Sequence, residues 1–229
     1  MCNRLLPWPT EHNSEIAVRE IDTPFGTTRA HLQGGADVGA ALVLGHGAGG
    51  GVQAVDLVAA SEVALATGVL VVLVEQPYRV AGRRSPPRSP QLDGAWIAAI
   101  EHLRSDALDN LHLIVGGRSL GARVACRTAA AIGAVAVLCL AFPLEPPRRG
   151  GKSAQSRLAE LDAVTVPTLV VQGANDPFGV PPAAPTRRVV TVPGDHGLKA
   201  DLEAVRDAVR DWLFTVLGEL REDGAAPSS

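Results

Sequence analysis

A serine flanked by glycines, in Gly117-Arg118-Ser119-Leu120-Gly121, sits where the apolar run "LIV" gives way to "LGARVA". Gly-x-Ser-x-Gly between a buried strand and a helix is the sequence form of a nucleophile elbow. The turn is so tight that a Cβ in place of either flanking glycine, Gly117 or Gly121, would collide with neighbouring backbone. It lifts the hydroxyl above a sheet and points the positive end of the next helix at developing negative charge. A serine hydroxyl is a weak nucleophile at neutral pH, so it needs a base. Of six histidines only His196 follows Ser119, in "TVPGDHGLKAD", a loop between the last strand and the last helix. His12, His31, His102 and His112 have no comparable placement and read as surface or packing residues.

The base needs an acid to fix its tautomer, and in this chain order the acid lies between serine and histidine. Glu145, Glu160, Asp162, Asp176 and Asp195 are the candidates. Asp176 follows the strand "TLVVQG" directly, in "GANDPFG". Asp195 adjoins the histidine, where a neighbour in sequence is poorly placed to reach the ring, and reads as a turn former. Glu160 and Asp162 fall on a helix-like stretch and read as a solvated face. The triad expected is therefore Ser119, Asp176 and His196.

Acyl transfer also needs donors for the oxyanion. One is the backbone N–H of Leu120; the second comes from the loop after the first parallel strand. That loop is "LVLGHGAGGG", with Ala48 as the expected second donor and Gly49 close behind. The same stretch satisfies G-x-G-x-x-G through Gly45, Gly47 and Gly50, with Glu75 ending the next apolar run. A dinucleotide site fails here for physical reasons. Its helix should start at the third glycine, whereas a helix is credible only from about Ala54, and Glu75 comes later than the roughly 20 residues expected. It also leaves Ser119, Asp176 and His196 without a role.

These residues must be positioned by a scaffold. "EIAVREIDTPFGTTRAHLQ" alternates around Pro24-Phe25-Gly26 and predicts an initial antiparallel pair. The strands expected next are Ala40–Leu44, Val69–Glu75, Leu111–Val115, Ala134–Leu140, Thr168–Val171 and Arg188–Val192. Runs without alternation are covered on both faces, as in a parallel sheet flanked by helices. Leu92, Trp96, Ile97, Ile100 and Leu103 share a helical face behind Ser89-Pro90, and Leu202 to Val216 carry a second such stripe. The class expected is α/β, a mostly parallel sheet with an antiparallel start and helices on both faces. Residues 13–220 form a single domain in this reading, with tails at 1–12 and 221–229.

The 229 residues suit one well-buried domain, and a net charge of −3 points to neither nucleic acid nor membrane as a partner. Three cysteines, Cys2, Cys126 and Cys139, lack metal spacing and their odd count argues against a disulfide framework, so a reducing cytoplasm is expected. No His-x-Glu or Cys-x-x-Cys spacing occurs, and neither a metal nor a cofactor is expected. The opening residues lack an apolar signal core, and the longest apolar stretch, broken at Thr67-Gly68, is too short to span a bilayer.

"LVLGHGAGG", "EQPYR", "GRRSPP", "GGRSLGARVA", "PTLVVQGANDPFG" and "GDHGLK" together resemble the small α/β-hydrolases related to dienelactone hydrolase. Within them the motifs look most like the branch holding bacterial hydrolase-like proteins, a testis-expressed mammalian protein and a subunit of the NSL histone-acetyltransferase complex. The resemblance covers roughly Ala40 to Leu217 and implies an α/β-hydrolase fold with Ser119, Asp176 and His196 at the triad positions. Dienelactone hydrolase uses a cysteine nucleophile, so serine departs from its pattern.

The expected partner is a small-molecule acyl substrate, with the oligomeric state open. The connection from Ala141 to Val166 must hold "AQSRLAELDA", one helix, which leaves little chain for a lid. Two loops are basic: Arg79, Arg83, Arg84 and Arg88 in one, and Arg148, Arg149, Lys152 and Arg157 against Glu145 in the other. Either they attract an anionic acyl substrate along the sheet's carboxyl edge, together with Arg118, or they are solvated loop charges. Tyr78 and Phe178 either line an acyl pocket or pack their own loops. Glu75 is expected to be structural. The function expected is a serine esterase, thioesterase or lactonase; the alternative is a non-catalytic interaction protein on the same fold.

Overall fold

The computed structural model describes residues 16–35, 39–145 and 155–225. β1 (Ala17–Thr23) and β2 (Gly26–Gln33) form a hairpin with Pro24-Phe25 at its tip. Then follow β3 (Ala40–Gly45), α1 (Val55–Ala66), β4 (Leu70–Glu75), α2 (Pro77–Val80), α3 (Ser89–Arg104), β5 (His112–Arg118) and α4 (Leu120–Thr128). The chain continues through β6 (Ala136–Leu140), α5 (Leu158–Asp162), β7 (Thr168–Gly173), β8 (Arg187–Val192) and α6 (Leu202–Ala225). One eight-stranded sheet runs in the order β1-β2-β4-β3-β5-β6-β7-β8. β1, β2 and β4 pair antiparallel, and every later pairing is parallel. This is the α/β-hydrolase fold expected from the sequence.

Alternation along buried strands sorts side chains into two cores. Ala41 and Val43 of β3 join Trp96, Ile100 and Leu103 of α3 and Val124 of α4. Ala40, Leu42 and Leu44 face the other way, onto Leu57 of α1 and Val205, Val209 and Trp212 of α6. Both faces are dry, which is why β3, β6 and β7 read as unbroken apolar runs. The two described cysteines, Cys126 and Cys139, are free and meet in the first core with sulfurs 3.5 Å apart.

Beyond shifts of a residue or two at strand ends, the described elements add detail to the sequence expectation. β5 continues past Val115 through Gly116-Gly117 to Arg118; the bare Cα of Gly117 lets α4 approach β3, while Gly116 lies against Leu138 of β6. A Cβ on Gly117 or Gly121 would run into the Gly45 carbonyl oxygen. α2 falls where the sequence predicts a loop; Pro77 at its first position presets one short turn. α5 covers only Leu158–Asp162, shorter than the helix expected over "AQSRLAELDA", whose Ala154 lies outside the described residues. α6 runs on to Ala225. The expected tail at 1–12, residues 226–229 and the basic residues Arg148, Arg149 and Lys152 also lie outside the described residues. No helix among the described residues is long and apolar enough to cross a membrane.

Candidate active site

Parallel strands deliver their carboxyl ends to one edge, and the chemistry-bearing residues gather there. Ser119 lies between β5 and α4 with φ 52° and ψ −105°, left-handed backbone that a side chain adopts only under constraint. Its N–H donates to the Leu140 carbonyl at 2.9 Å, and its own carbonyl accepts the Arg123 N–H at 3.2 Å as α4 begins. The strained turn is thus held from both sides.

His196 Nε2 lies 2.9 Å from Ser119 Oγ, and its Nδ1 lies 2.8 Å from Asp176 Oδ2. An ionised Asp176 can only accept, so Nδ1 carries the proton and Nε2 is left to accept from the serine. Asp176 follows β7, and its side chain is fully buried. Its Oδ1 accepts the Phe178 N–H at 2.9 Å and its Oδ2 accepts from Gln172 Nε2 at 2.7 Å. That amide faces three oxygens, the others being the Phe142 and Gly179 carbonyls, each at 3.0 Å. Phe178 sets its ring edge-on to the His196 imidazole, centroids 4.6 Å apart. Asp195 forms the turn, as expected: its Oδ1 accepts the Gly197 N–H and its carbonyl the Leu198 N–H.

The glycine loop after β3 is set by two side chains, His46 and Tyr78. His46, buried, donates from Nδ1 to the Gly47 carbonyl at 2.8 Å and accepts the Gln76 N–H on Nε2 at 3.1 Å. Tyr78 O–H donates to the Ala48 carbonyl at 3.0 Å. A trans peptide points its N–H opposite its carbonyl. Fixing the Gly47 carbonyl therefore aims the Ala48 N–H, and fixing the Ala48 carbonyl aims the Gly49 N–H. Among the described residues, the amides of Ala48, Gly49 and Leu120 donate to no protein group, so all three remain available. Burial is the largest influence on His46 and lowers its pKa, which keeps the imidazole neutral, as its acceptor role requires. Burial also pushes the Tyr78 phenol up to about 12, so it stays a donor. The motif His-Gly ahead of a glycine cluster was the available signal for His46.

The basic residues divide by environment. Arg118 is turned inward: its Nε lies 2.9 Å from Asp56 Oδ2 and its Nη2 donates to the His196 carbonyl at 3.0 Å. The Asp56 contact is a bent ion pair, close in distance but off the N–H axis. Arg157 donates to the Pro143 carbonyl. The guanidinium groups of Arg79, Arg83, Arg84 and Arg88 meet no hydrogen-bond or ion-pair partner among the described residues, and the last three are exposed. Arg83, Tyr78, Gln76 and Phe25 line a cleft of about 490 Å³ between the hairpin tip and α2; neither Ser119 nor His196 lines it. Glu75 is hydrogen-bonded to His31 Nε2 at 2.6 Å, so that histidine has a polar partner beyond simple packing, and the same carboxylate lies 3.8 Å from Arg29.

Glu160 corrects an expectation. It is not a solvated helix residue: it bridges Arg123 at 2.5 Å and Arg127 at 3.3 Å. Burial pushes its carboxyl up, but the two arginines outweigh it and hold the group below its ordinary value.

Residues 38–201 match the family model described as the alpha/beta hydrolase domain. Among solved structures, XC6422 from Xanthomonas campestris, described as an a/b serine hydrolase without lid, superposes with a TM-score of 0.68 at 21% identity, covering 93% of this chain and 97% of that one. Est1E from Butyrivibrio proteoclasticus gives 0.71 at 18% identity, covering 88% and 99%. Dienelactone hydrolase from Anabaena variabilis gives 0.68 at 18%, covering 89% and 99%. The curated proteins contain no match to this chain.

Proposed function

The chain belongs to the alpha/beta hydrolase family, and from that footing we propose that it is a serine hydrolase cleaving a carboxylic ester, thioester or lactone. The observation that carries the reading is the unbroken line from buried Asp176 through His196 to Ser119, at 2.8 and 2.9 Å. Ser119 Oγ attacks the acyl carbonyl while His196 Nε2 takes its proton, and Asp176 holds the ring and stabilises the imidazolium. The tetrahedral oxyanion is met by the Leu120 N–H and by the Ala48 or Gly49 N–H, donors aimed before substrate arrives. His196 returns the proton to the leaving oxygen or sulfur, leaving an acyl-serine. Water, deprotonated by the same nitrogen, then attacks the acyl carbon, and the acid departs as Ser119 regains its proton. None of these steps draws on a cofactor.

Phe178, edge-on to the His196 ring, is our choice for the wall of the acyl site. The motifs also support a place in the branch that holds the testis-expressed protein and the NSL-complex subunit. A second reading, a non-catalytic interaction module, draws on the unpartnered arginines of the Arg79–Arg88 segment. The deciding experiment is a panel of p-nitrophenyl, thioester and lactone substrates with the wild type and Ser119→Ala. Turnover by the wild type, lost in Ser119→Ala, supports the hydrolase; no turnover of any acyl class supports the module.

A further inference from the structure

Arg118 stands beside the nucleophile, where the sequence allows a substrate contact or a solvated charge, yet its guanidinium faces the protein. Its side chain is 20% exposed and reaches three separate pieces of the site. Nε pairs with Asp56, whose side chain is 1% exposed, in the first turn of α1, just beyond the glycine loop. Nη2 donates to the backbone carbonyl of His196 itself. Nη1 lies against Gly47, where a Cβ would approach to 2.9 Å.

We propose that Arg118 is a positioning residue: one guanidinium, anchored by Asp56, sets the His196 loop and backs the glycine loop against the turn that carries Ser119. Among the described residues, no other side chain is hydrogen-bonded or ion-paired to both the His196 loop and the first turn of α1. The planar fork suits this task because its nitrogens point in divergent, fixed directions, whereas a lysine ammonium would serve as one point charge. Asp56 is committed to the arrangement. Its Oδ1 accepts the Leu57 N–H at 3.0 Å, and Arg118 is the cation that faces its other oxygen. Burial pushes the Asp56 carboxyl up, and the facing Arg118 guanidinium opposes that.

This inference rests on the hydrolase reading, and its test separates the two. Arg118→Met, Arg118→Lys and the double variant Arg118→Met/Asp56→Leu are compared on a neutral p-nitrophenyl ester and by thermal unfolding. A misplacement near 1 Å costs about 100-fold, so Arg118→Met loses kcat by about that factor with KM little changed, and lysine does not rescue it. The double variant removes the stranded buried carboxylate and recovers thermal stability, but not kcat. A double variant that regains both shows a merely structural pair and overturns the role. So does Arg118→Met with raised KM and intact kcat, the signature of substrate contact. A wild type with no turnover overturns the hydrolase reading and the role together; an active wild type with an unimpaired Arg118→Met overturns the role alone.

Discussion

The backbone at Ser119 predicts an inverted order of stability between two small substitutions. At φ 52° and ψ −105° a side chain is strained, and such strain costs about 1–3 kcal/mol. Ser119→Ala removes the Oγ contact with His196 but keeps the Cβ and the strain. Ser119→Gly removes the same contact and releases the strain, at an added entropic cost of about 0.5–1 kcal/mol. Glycine should therefore exceed alanine by about 1 kcal/mol at this position. Ser61 provides the control, since it is buried inside α1 in helical backbone and donates to the Leu57 carbonyl. There the order is ordinary, with alanine ahead by about 1 kcal/mol. Urea unfolding of the four variants, with equal m-values as the check on comparability, measures both differences. If glycine trails alanine at 119 by as much as it does at 61, the elbow stores no strain and the reasoning fails.

Three further outcomes follow from the groups around the site. Burial holds the folded-state pKa of His46 below the usual 6.5, so the unfolded chain takes up its proton first. His46 therefore contributes its stability fully above about 6.5, and loses it as pH falls from there toward the folded-state value; urea midpoints at pH 7.5 and 5.5 should separate less in His46→Asn than in the wild type. Tyr78→Phe releases the Ala48 carbonyl and with it the aim of the Gly49 N–H, lowering kcat about tenfold with little change in KM, a loss of about 1.4 kcal/mol of transition-state stabilisation. Gln172→Leu leaves the buried Asp176 carboxylate short of a donor and should cost about 1–3 kcal/mol in urea unfolding, with kcat reduced as well.

The parallel strands were legible because burial on both faces writes continuous apolar runs into the sequence. The end of β5 is not legible, since Gly116-Gly117 carries no hydropathy signal, although Gly117 lets α4 touch β3 and Gly116 lies against Leu138 of β6. α2 was invisible because four residues cannot display a helical period. The reactive trio was readable from residue type and chain order. The structure brings its members within hydrogen-bond distance of one another, although they lie up to 77 positions apart. What could not be read is what holds those groups. No motif in the sequence marks Gln172 or Asp56, and Arg118 allows both a substrate contact and a solvated charge. Their roles depend on which side chains the crossover connections bring together. Glu160 was misread for the same reason, because its cationic partners belong to α4.

The central claim is that a folded, unliganded chain already presents an activated serine. Reaction with a fluorophosphonate, read by intact mass and peptide mapping, tests it most directly. The account predicts one adduct, on the peptide containing Ser119, formed rapidly by the wild type and slowed by orders of magnitude in His196→Ala. A wild type that takes up no adduct, or takes it up at another residue, would contradict it.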